Sequence, residues 1–138
     1  MKEFVLDASV TLNWCFPDEQ SEYSENILKL LTQYSASVPF IWTLEILNVL
    51  LVSERRNRIT ADKSDRFLYS LSQLPIIVDS SKPELSSNNL LTTARKFDLS
   101  IYDTTYLELA IRRKLPIATK DKKMLEVISK IGIDLFEF

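Results

Sequence analysis

The sequence contains no histidine, one glycine and one cysteine, and these scarcities exclude several kinds of site. Without histidine, the commonest general base and transition-metal ligand is missing, so a hydrolase built from this chain must use carboxylates, lysine or metal-bound water. A single glycine excludes the glycine-rich loops that hold phosphates in P-loop and dinucleotide-binding proteins. The single cysteine, Cys15, excludes an internal disulfide and a cysteine zinc site.

Long apolar runs and a strong net charge are also absent. No run approaches the ~18 residues that a membrane span needs, and Asp7 comes too early for the apolar core of a signal peptide, so we expect a cytoplasmic protein. The 17 basic and 19 acidic residues give a net charge of −2, so any contact with nucleic acid must be local. The 138 residues, 46% of them hydrophobic, are predicted to form a single domain over 1–138.

Short β-rich runs alternate with longer segments of helical period, which predicts an α/β fold with a mostly parallel sheet. The five expected strands are Glu3 to Leu6, Val38 to Ile41, Ile76 to Val78, Ile117 to Thr119 and Asp134 to Phe136. The expected helices are Ser9 to Cys15, Gln20 to Tyr34, Leu44 to Arg56, Ala61 to Leu74, one beginning near Ser86, Asp103 to about Arg113, and Lys122 to Ile131. Thr43 and Thr60 are the expected N-terminal caps, and Gly132 should end the last helix.

Acidic residues fall where ligands bind in open parallel sheets, beyond the carboxyl ends of the strands. Asp7 directly follows the first strand, Asp121 lies two residues after the fourth, and Glu45 is expected in the first turn of the helix that leaves the second. Asp103 opens the helix before the fourth strand, and a crossover of ordinary length can bring it to the same edge. Clustered carboxylates repel each other unless a cation neutralises them, and oxygen ligands select Mg²⁺ or Mn²⁺.

Each of these acids taken alone has a structural explanation. Asp7, Asp103 and Asp121 each precede a helix, where aspartate is a favoured cap, and a first-turn glutamate such as Glu45 favours the helix dipole. The hypothesis of a metal site therefore depends on the coincidence of the acids at one edge. An ion held there can activate water and offset charge on a phosphate without any histidine.

Four segments, taken in order, resemble the successive motifs of PIN domains and in particular those of VapC-type toxins. These segments are Phe4–Val10, Pro39–Leu50, Tyr102–Ala110 and Pro116–Asp121. The resemblance extends over nearly the whole chain. It implies a three-layer α/β/α sandwich with strand order 3-2-1-4-5 and an endoribonuclease that depends on Mg²⁺ or Mn²⁺. It also implies a homodimer and a VapB-type antitoxin that blocks the active site.

The family's catalytic and metal-binding acids fall on Asp7, Glu45, Asp103 and Asp121. One departure is Asp98, which stands where relatives often carry glycine at the end of a helix, although aspartate tolerates left-handed geometry. No departure removes a metal ligand, so the resemblance implies an active nuclease.

Polar residues beside the acids are candidates for supporting roles. Ser9, Asn48 and Thr119 can hydrogen-bond a ligand carboxylate or a metal-bound water. Local capping or turn bonding explains Ser9 and Thr119 equally well. Asn48 is harder to explain in this way, because asparagine is unfavourable inside an otherwise apolar helix.

Basic residues form two groups that can bind RNA phosphates. The stronger candidates surround the last acid and are Lys120, Lys122 and Lys123. The weaker candidates, Arg55 and Arg56, lie at a helix end, where a cation also complements the helix dipole.

Other functions stay open on the sequence. A haloacid-dehalogenase-type phosphatase also carries an aspartate after its first strand, but it needs a second one where Ser9 stands. A phospho-receiver module would use Asp79 and Thr119, yet the paired acids after the first strand are missing. An RNA-binding module without cleavage would keep the fold, and a housekeeping PIN nuclease would act without an antitoxin. Metal-dependent cleavage of RNA distinguishes the nuclease from the rest.

Overall fold

The computed structural model describes residues 2–85 and 89–137, which form an α/β fold around a parallel sheet. The strands are β1 (Lys2–Leu6), β2 (Tyr34–Val38), β3 (Ile76–Val78) and β4 (Ile117–Ala118). Their order across the sheet is β3-β2-β1-β4, and every pair is parallel. Phe4, Val5 and Leu6 are consecutive and all 0% exposed, so β1 is central and covered on both faces.

Helices connect the strands and follow the last of them. They are α1 (Ala8–Asn13), α2 (Glu22–Leu30), α3 (Phe40–Arg55), α4 (Ala61–Ser72), α5 (Asn89–Phe97), α6 (Ile101–Arg113) and α7 (Lys122–Ile131), with a 3-10 turn at Pro17–Glu19. The predicted start of α5 near Ser86 lies outside the described residues. In the described part of the chain, none of the helices combines the length and the apolar character that a membrane crossing requires.

The prediction of a five-stranded sheet is wrong: the described sheet has four strands, and the order 3-2-1-4 holds without a fifth. The segment predicted as strand five makes one parallel bridge, between Leu135 and Ile117. It does lie beside β4, but β4 is only two residues long and offers too little backbone for a longer ladder. Two backbone hydrogen bonds attach the segment, from Ile117 N–H to Asp134 O at 3.0 Å and from Phe136 N–H to Ile117 O at 2.7 Å. The Phe136 ring also stacks on Phe4 at a centroid distance of 4.1 Å.

The predicted boundary between β2 and α3 is also wrong. β2 ends at Val38, and α3 begins at once, so Thr43 is inside the helix and does not cap it. Pro39 occupies the cap position with an extended backbone, and proline has no N–H to continue a ladder. The aromatic start of α3 is held by packing, because the buried Trp42 donates its indole N–H to Thr11 Oγ1 at 3.1 Å. Tertiary contacts here override local propensity.

Several helix ends follow the sequence signals. Thr60 accepts a hydrogen bond from the Lys63 backbone N–H and caps α4. α7 has the predicted limits and ends at Gly132 with φ +76°. Asp98, after α5, has φ +54°, the left-handed geometry expected there. α6 begins two residues earlier than predicted, because Ser100 is its cap.

Candidate functional site

The four predicted acids converge at the carboxyl edge of the sheet. Asp7 follows β1, and Asp121 lies just beyond the neighbouring strand β4. The charges of Asp103 and Asp121 act on Asp7, and those of Asp7 and Asp103 act on Glu45. The charge of Asp121 also acts on Asp103. Charges perturb one another in this way at short range, so helices α3 and α6 bring their acids into the cleft formed by β1 and β4.

Asp7 is buried, with 6% of its surface exposed, and its two carboxylate oxygens have different surroundings. Ser9 Oγ donates to Oδ2 at 2.8 Å, and Thr119 Oγ1 donates to the same oxygen at 2.7 Å. Within the described residues, neither of these donors nor any other binds Oδ1. The side chain makes no capping bond to α1. The capping explanation therefore fails for Asp7, and Oδ1 is available to a ligand.

Asp103 and Asp121 differ in how far helix capping accounts for them. Asp121 is the cap of α7, and its Oδ2 accepts the Met124 backbone N–H at 2.8 Å. Asp103 lies in the first turn of α6, which is already capped by Ser100 through a 3.0 Å bond from the Asp103 backbone N–H. The Asp103 carboxylate is thus not needed as a cap.

Glu45 lies in the second turn of α3, since the helix begins at Phe40. The helix dipole acts mainly on the first turn, so it explains little of a glutamate at this position. Glu45 is half-buried, and its Oε1 accepts a hydrogen bond from the Tyr106 hydroxyl at 2.6 Å. Burial raises the pKa of Tyr106 above its ordinary value, so the phenol stays protonated and donates.

Burial is the largest cause of the raised pKa values of Asp7, Glu45 and Asp103. Neighbouring carboxylates raise them further, whereas hydrogen bonds from Thr119 and Ser9 lower the pKa of Asp7. A cleft with these properties favours a bound cation or bound protons, because either one relieves the repulsion among the acids.

The donor atoms fit a hard divalent cation whose remaining ligands are water. Between residues 2 and 85 and between 89 and 137, no three acidic or cysteine side chains are arranged to hold an ion by themselves. Mg²⁺ is usually held by one or two carboxylates and keeps several waters, so it does not require such a cage. The carboxylates offer only oxygen, which suits Mg²⁺ or Mn²⁺ and not zinc.

The predicted supporting residues have different surroundings. Ser9 and Thr119 both contact the Asp7 carboxylate, and Thr119 Oγ1 also accepts the Asp121 backbone N–H at 3.1 Å. Asn48 is exposed, and in the described structure it forms no hydrogen bond to Glu45. The structure therefore brings two of the three supporting residues to the acids.

Among the basic candidates, Lys120 has the best-defined position. Its backbone N–H donates to Ser9 Oγ at 3.0 Å, and its Nζ donates to Asn13 Oδ1 at 2.7 Å. Lys122 and Lys123 are exposed in the first turn of α7. The other two, Arg55 and Arg56, are exposed at the far end of α3, which at 1.5 Å per residue is roughly 15 Å from Glu45 along the helix axis.

Two residues of the site were missed by the sequence analysis. Tyr106 lies three positions after Asp103 on α6, so its helical spacing from a predicted acid was a usable signal. Asn13, which holds Lys120, gave no comparable signal, because its partner is 107 positions away.

The phospho-receiver alternative is not supported by the geometry. Asp79 follows β3, which lies at the opposite edge of the sheet from β4 and Thr119. Asp79 is also paired with Arg112, with 2.6 Å between its Oδ2 and the guanidinium. The two residues that such a module needs are therefore apart.

Comparisons with known proteins agree with the fold described above. The model of the PIN domain family matches residues 4–130. PAE2754 from Pyrobaculum aerophilum superposes with a TM-score of 0.70 at 20% identity, over 91% of this chain and 84% of that one. VapBC2 from Rickettsia felis, solved bound to a DNA fragment from its promoter, gives a TM-score of 0.69 at 18% identity, over 99% and 98%. At these identities the likeness shows the fold. No curated protein matches the sequence.

Proposed function

The chain belongs to the PIN domain family, and from that premise we propose that it is an endoribonuclease in which Asp7, Glu45, Asp103 and Asp121 hold Mg²⁺ or Mn²⁺. The observation that carries the proposal is the buried Asp7 carboxylate, whose Oδ2 is bound by two hydroxyls and whose pKa is raised by the nearby charges of Asp103 and Asp121. A bound ion would lower the pKa of a water nucleophile and offset the charge that develops on the phosphate.

The residues around the acids fix their orientation before any ligand arrives. Ser9 and Thr119 hold Asp7 from one side, so rotation of the carboxylate would break two hydrogen bonds. The Met124 backbone N–H holds Asp121 in the same way. Preorganised carboxylates lose little entropy on binding an ion, which supports their assignment as ligands.

Among the basic residues, we propose Lys120 as the main contact for an RNA phosphate. Asn13 accepts one of the three ammonium hydrogens of Lys120, which leaves two donors for a phosphate oxygen. Because the net charge of the chain is −2, binding depends on such local cations and weakens as salt rises. Lys122 and Lys123 extend this basic rim.

Cleavage of RNA by the purified protein tests the proposal. We expect cleavage with Mg²⁺ or Mn²⁺ and none in EDTA. Asp7→Asn and Asp103→Asn should each lower the rate at least 100-fold, because each removes a charge that faces the ion. Internal cuts in a circular RNA would show that the activity is endonucleolytic.

Asp65→Asn is the matched control, since Asp65 is an exposed aspartate on α4, away from the cleft. Its rate should equal that of the unaltered protein. Equal cleavage by the Asp7 and Asp103 variants would refute the site assignment. Binding of RNA without any cleavage would favour the RNA-binding module instead.

We further propose that the protein forms a homodimer through α3. Four apolar side chains on this helix are exposed in the chain by itself: Phe40 at 52%, Leu44 at 49%, Leu47 at 43% and Leu51 at 43%. Their spacing places them on one stripe of the helix, here called the α3 stripe. A cavity of about 400 Å³ opens beside Phe40 and is also lined by Ile101 and Tyr102. Exposed apolar surface of this extent is typical of a protein interface.

The toxin role is a proposal that draws on one neighbour. The VapBC2 structure from Rickettsia felis matches this chain over 99% of its length, and it was solved on promoter DNA. We propose by analogy that this chain is the toxin of a toxin–antitoxin pair, acts on cytoplasmic RNA and is held inactive by a VapB-type antitoxin. The alternative is a housekeeping PIN nuclease that has no antitoxin.

A further inference from the structure

The hydroxyl of Tyr106 connects three of the elements that form the acidic cleft. Tyr106 is 0% exposed, and it belongs to α6, one turn after Asp103. Its hydroxyl donates to Glu45 Oε1 on α3 at 2.6 Å. The backbone of Ala8, which directly follows Asp7, lies close enough to the phenol to lower its pKa, against the larger effect of burial. The phenol is therefore placed between Glu45 and the chain next to Asp7, two of the candidate ligands.

Glu45 differs from Asp7 and Asp121 in that its carboxylate is held by a tyrosine hydroxyl from another helix. Asp7 is held by two hydroxyls, and Asp121 is held by a backbone N–H. In the described part of the chain, the Tyr106 hydroxyl is the donor that holds the Glu45 carboxylate. A glutamate has three side-chain torsions, so without this bond its carboxylate would sample several positions at the rim.

The bond also assigns different tasks to the two carboxylate oxygens of Glu45. Oε1 is taken by Tyr106, so Oε2 is the oxygen that can face an ion in the cleft. The tyrosine ring is rigid and 0% exposed, so its hydroxyl is held in place by the packing of the ring. Contacts of this kind to a ligand carboxylate typically change metal affinity by about 10–100-fold.

We propose that Tyr106 is a positioning residue that ties back Glu45 Oε1 and thereby presents Oε2 to the divalent cation. This inference deepens the proposed function and rests on it. In this role Tyr106 does not contact the reacting atoms, and it acts only through Glu45.

Binding of Mn²⁺ to the RNA-free protein, measured by calorimetry, tests the proposal without relying on activity. Tyr106→Phe removes a single oxygen atom, and we expect it to weaken Mn²⁺ binding about tenfold. The matched control is Tyr69→Phe, because Tyr69 lies on α4 and is 69% exposed. It should bind Mn²⁺ as the unaltered protein does. Unchanged affinity in Tyr106→Phe would overturn the proposal.

A double-mutant cycle with Glu45→Gln separates positioning from a general structural role. If Tyr106 acts through Glu45, adding Tyr106→Phe to Glu45→Gln should cause little further loss of Mn²⁺ affinity. An equal loss in both backgrounds would contradict the proposal, because the hydroxyl would then support the fold and not the carboxylate.

A measurement on the unaltered protein covers the case in which Tyr106→Phe does not fold. The ¹³C resonance of Tyr106 Cζ reports on the hydrogen bond of the phenol and should shift when Mg²⁺ is added. A resonance that does not move at saturating Mg²⁺ would count against the proposal. If the unaltered protein neither binds Mn²⁺ nor cuts RNA, the proposed function itself fails. That result differs from one in which the unaltered protein is active and Tyr106→Phe binds Mn²⁺ with unchanged affinity.

Discussion

At the scale of the residue, Asp7 is both fixed by the fold and open to a ligand. Ser9 and Thr119 satisfy Oδ2, and they do so from two chain segments that the sheet brings together. The charges of Asp103 and Asp121 act on the same carboxylate. In the absence of a cation, repulsion among these carboxylates destabilises the folded state, because a buried carboxylate next to like charges is unfavourable.

We predict that Asp7→Asn makes the metal-free protein more stable, although it abolishes cleavage. The amide oxygen can take the place of Oδ2 and accept both hydroxyls, while the NH₂ group replaces Oδ1 and faces the remaining acids. Removal of a disfavoured charge should stabilise the fold by about 1–2 kcal/mol, or roughly 3–8 °C in Tm for a domain of this size. Thermal unfolding in EDTA measures the change.

The dependence on pH of the Tm gain in Asp7→Asn tests whether the lost charge is its cause. The pKa values of Asp7, Glu45 and Asp103 are raised in the folded chain, so the folded state holds more protons than the unfolded state between the ordinary pKa near 4 and the raised values. Their favourable contribution is complete at acid pH and is lost as pH rises. The advantage of Asp7→Asn should therefore be largest at neutral pH and shrink toward pH 4. A Tm difference that is constant with pH would contradict this explanation.

The sequence predicted the positions of Asp7, Asp103 and Asp121 along the chain, because each lies next to the end of an element. Their partners could not be found so easily. Tyr106 and Glu45 are 61 positions apart, and Thr119 and Asp7 are 112 apart. Such pairs depend on side-chain directions across packed elements, which sequence spacing within one element does not contain.

At the scale of the element, α3 is apolar on two sides. Trp42, Ile46 and Leu50 are buried in the core, whereas the α3 stripe faces outward. A helix that is apolar all round is normally buried all round. Residues 2–85 and 89–137 cover one of these two sides and leave the α3 stripe exposed, which supports the proposal that a second chain covers it.

We predict that Leu47→Glu converts the homodimer into a monomer. Leu47 is at the middle of the α3 stripe, and a buried, unpaired charge there would cost several kcal/mol in the interface but little in the isolated chain. Light scattering should give twice 16.0 kDa for the unaltered protein and about half of that value for the variant.

Tyr69→Glu is the control for this experiment, since Tyr69 is a large side chain on α4 and is 69% exposed. It should leave the mass unchanged. An unaltered protein that is monomeric at micromolar concentration would refute the proposed homodimer.

The helices also show which element boundaries a sequence can define. α7 has a capping aspartate, Asp121, and a terminating glycine, Gly132, and its limits were predicted correctly. α3 begins with aromatic and β-branched residues that favour strands, and its start was predicted wrongly. Local signals succeed where they act through the backbone, and they fail where the packing of Trp42 decides.

At the scale of the whole molecule, the order β3-β2-β1-β4 is what assembles the site. The alternation of short strands and helices predicted a parallel α/β sheet, and the resemblance to PIN domains implied the order of its first four strands. The predicted fifth strand failed for a reason that only the folded chain contains. One bridge with two backbone hydrogen bonds at Ile117, together with the stacking of Phe136 on Phe4, holds the segment without a longer ladder.

We predict that expression of the chain alone arrests cell growth and that co-expression of the adjacent reading frame relieves the arrest. Asp103→Asn should remove the arrest, because it removes a proposed metal ligand while the Ser100 cap of α6 remains. Mapping of RNA 5′ ends should show internal cuts that depend on Asp103. If growth is the same with and without the adjacent reading frame, the alternative of a housekeeping nuclease without an antitoxin is favoured.

The N-terminus of α7 determines how inactive variants should be interpreted. The Asp121 carboxylate binds a backbone N–H of its own helix, so a substitution at this position removes a helix cap together with any ligand. Loss of activity in an Asp121 variant would combine a folding defect with a chemical one. At Asp103 the cap of α6 is Ser100, so a substitution of the Asp103 carboxylate leaves the helix cap in place.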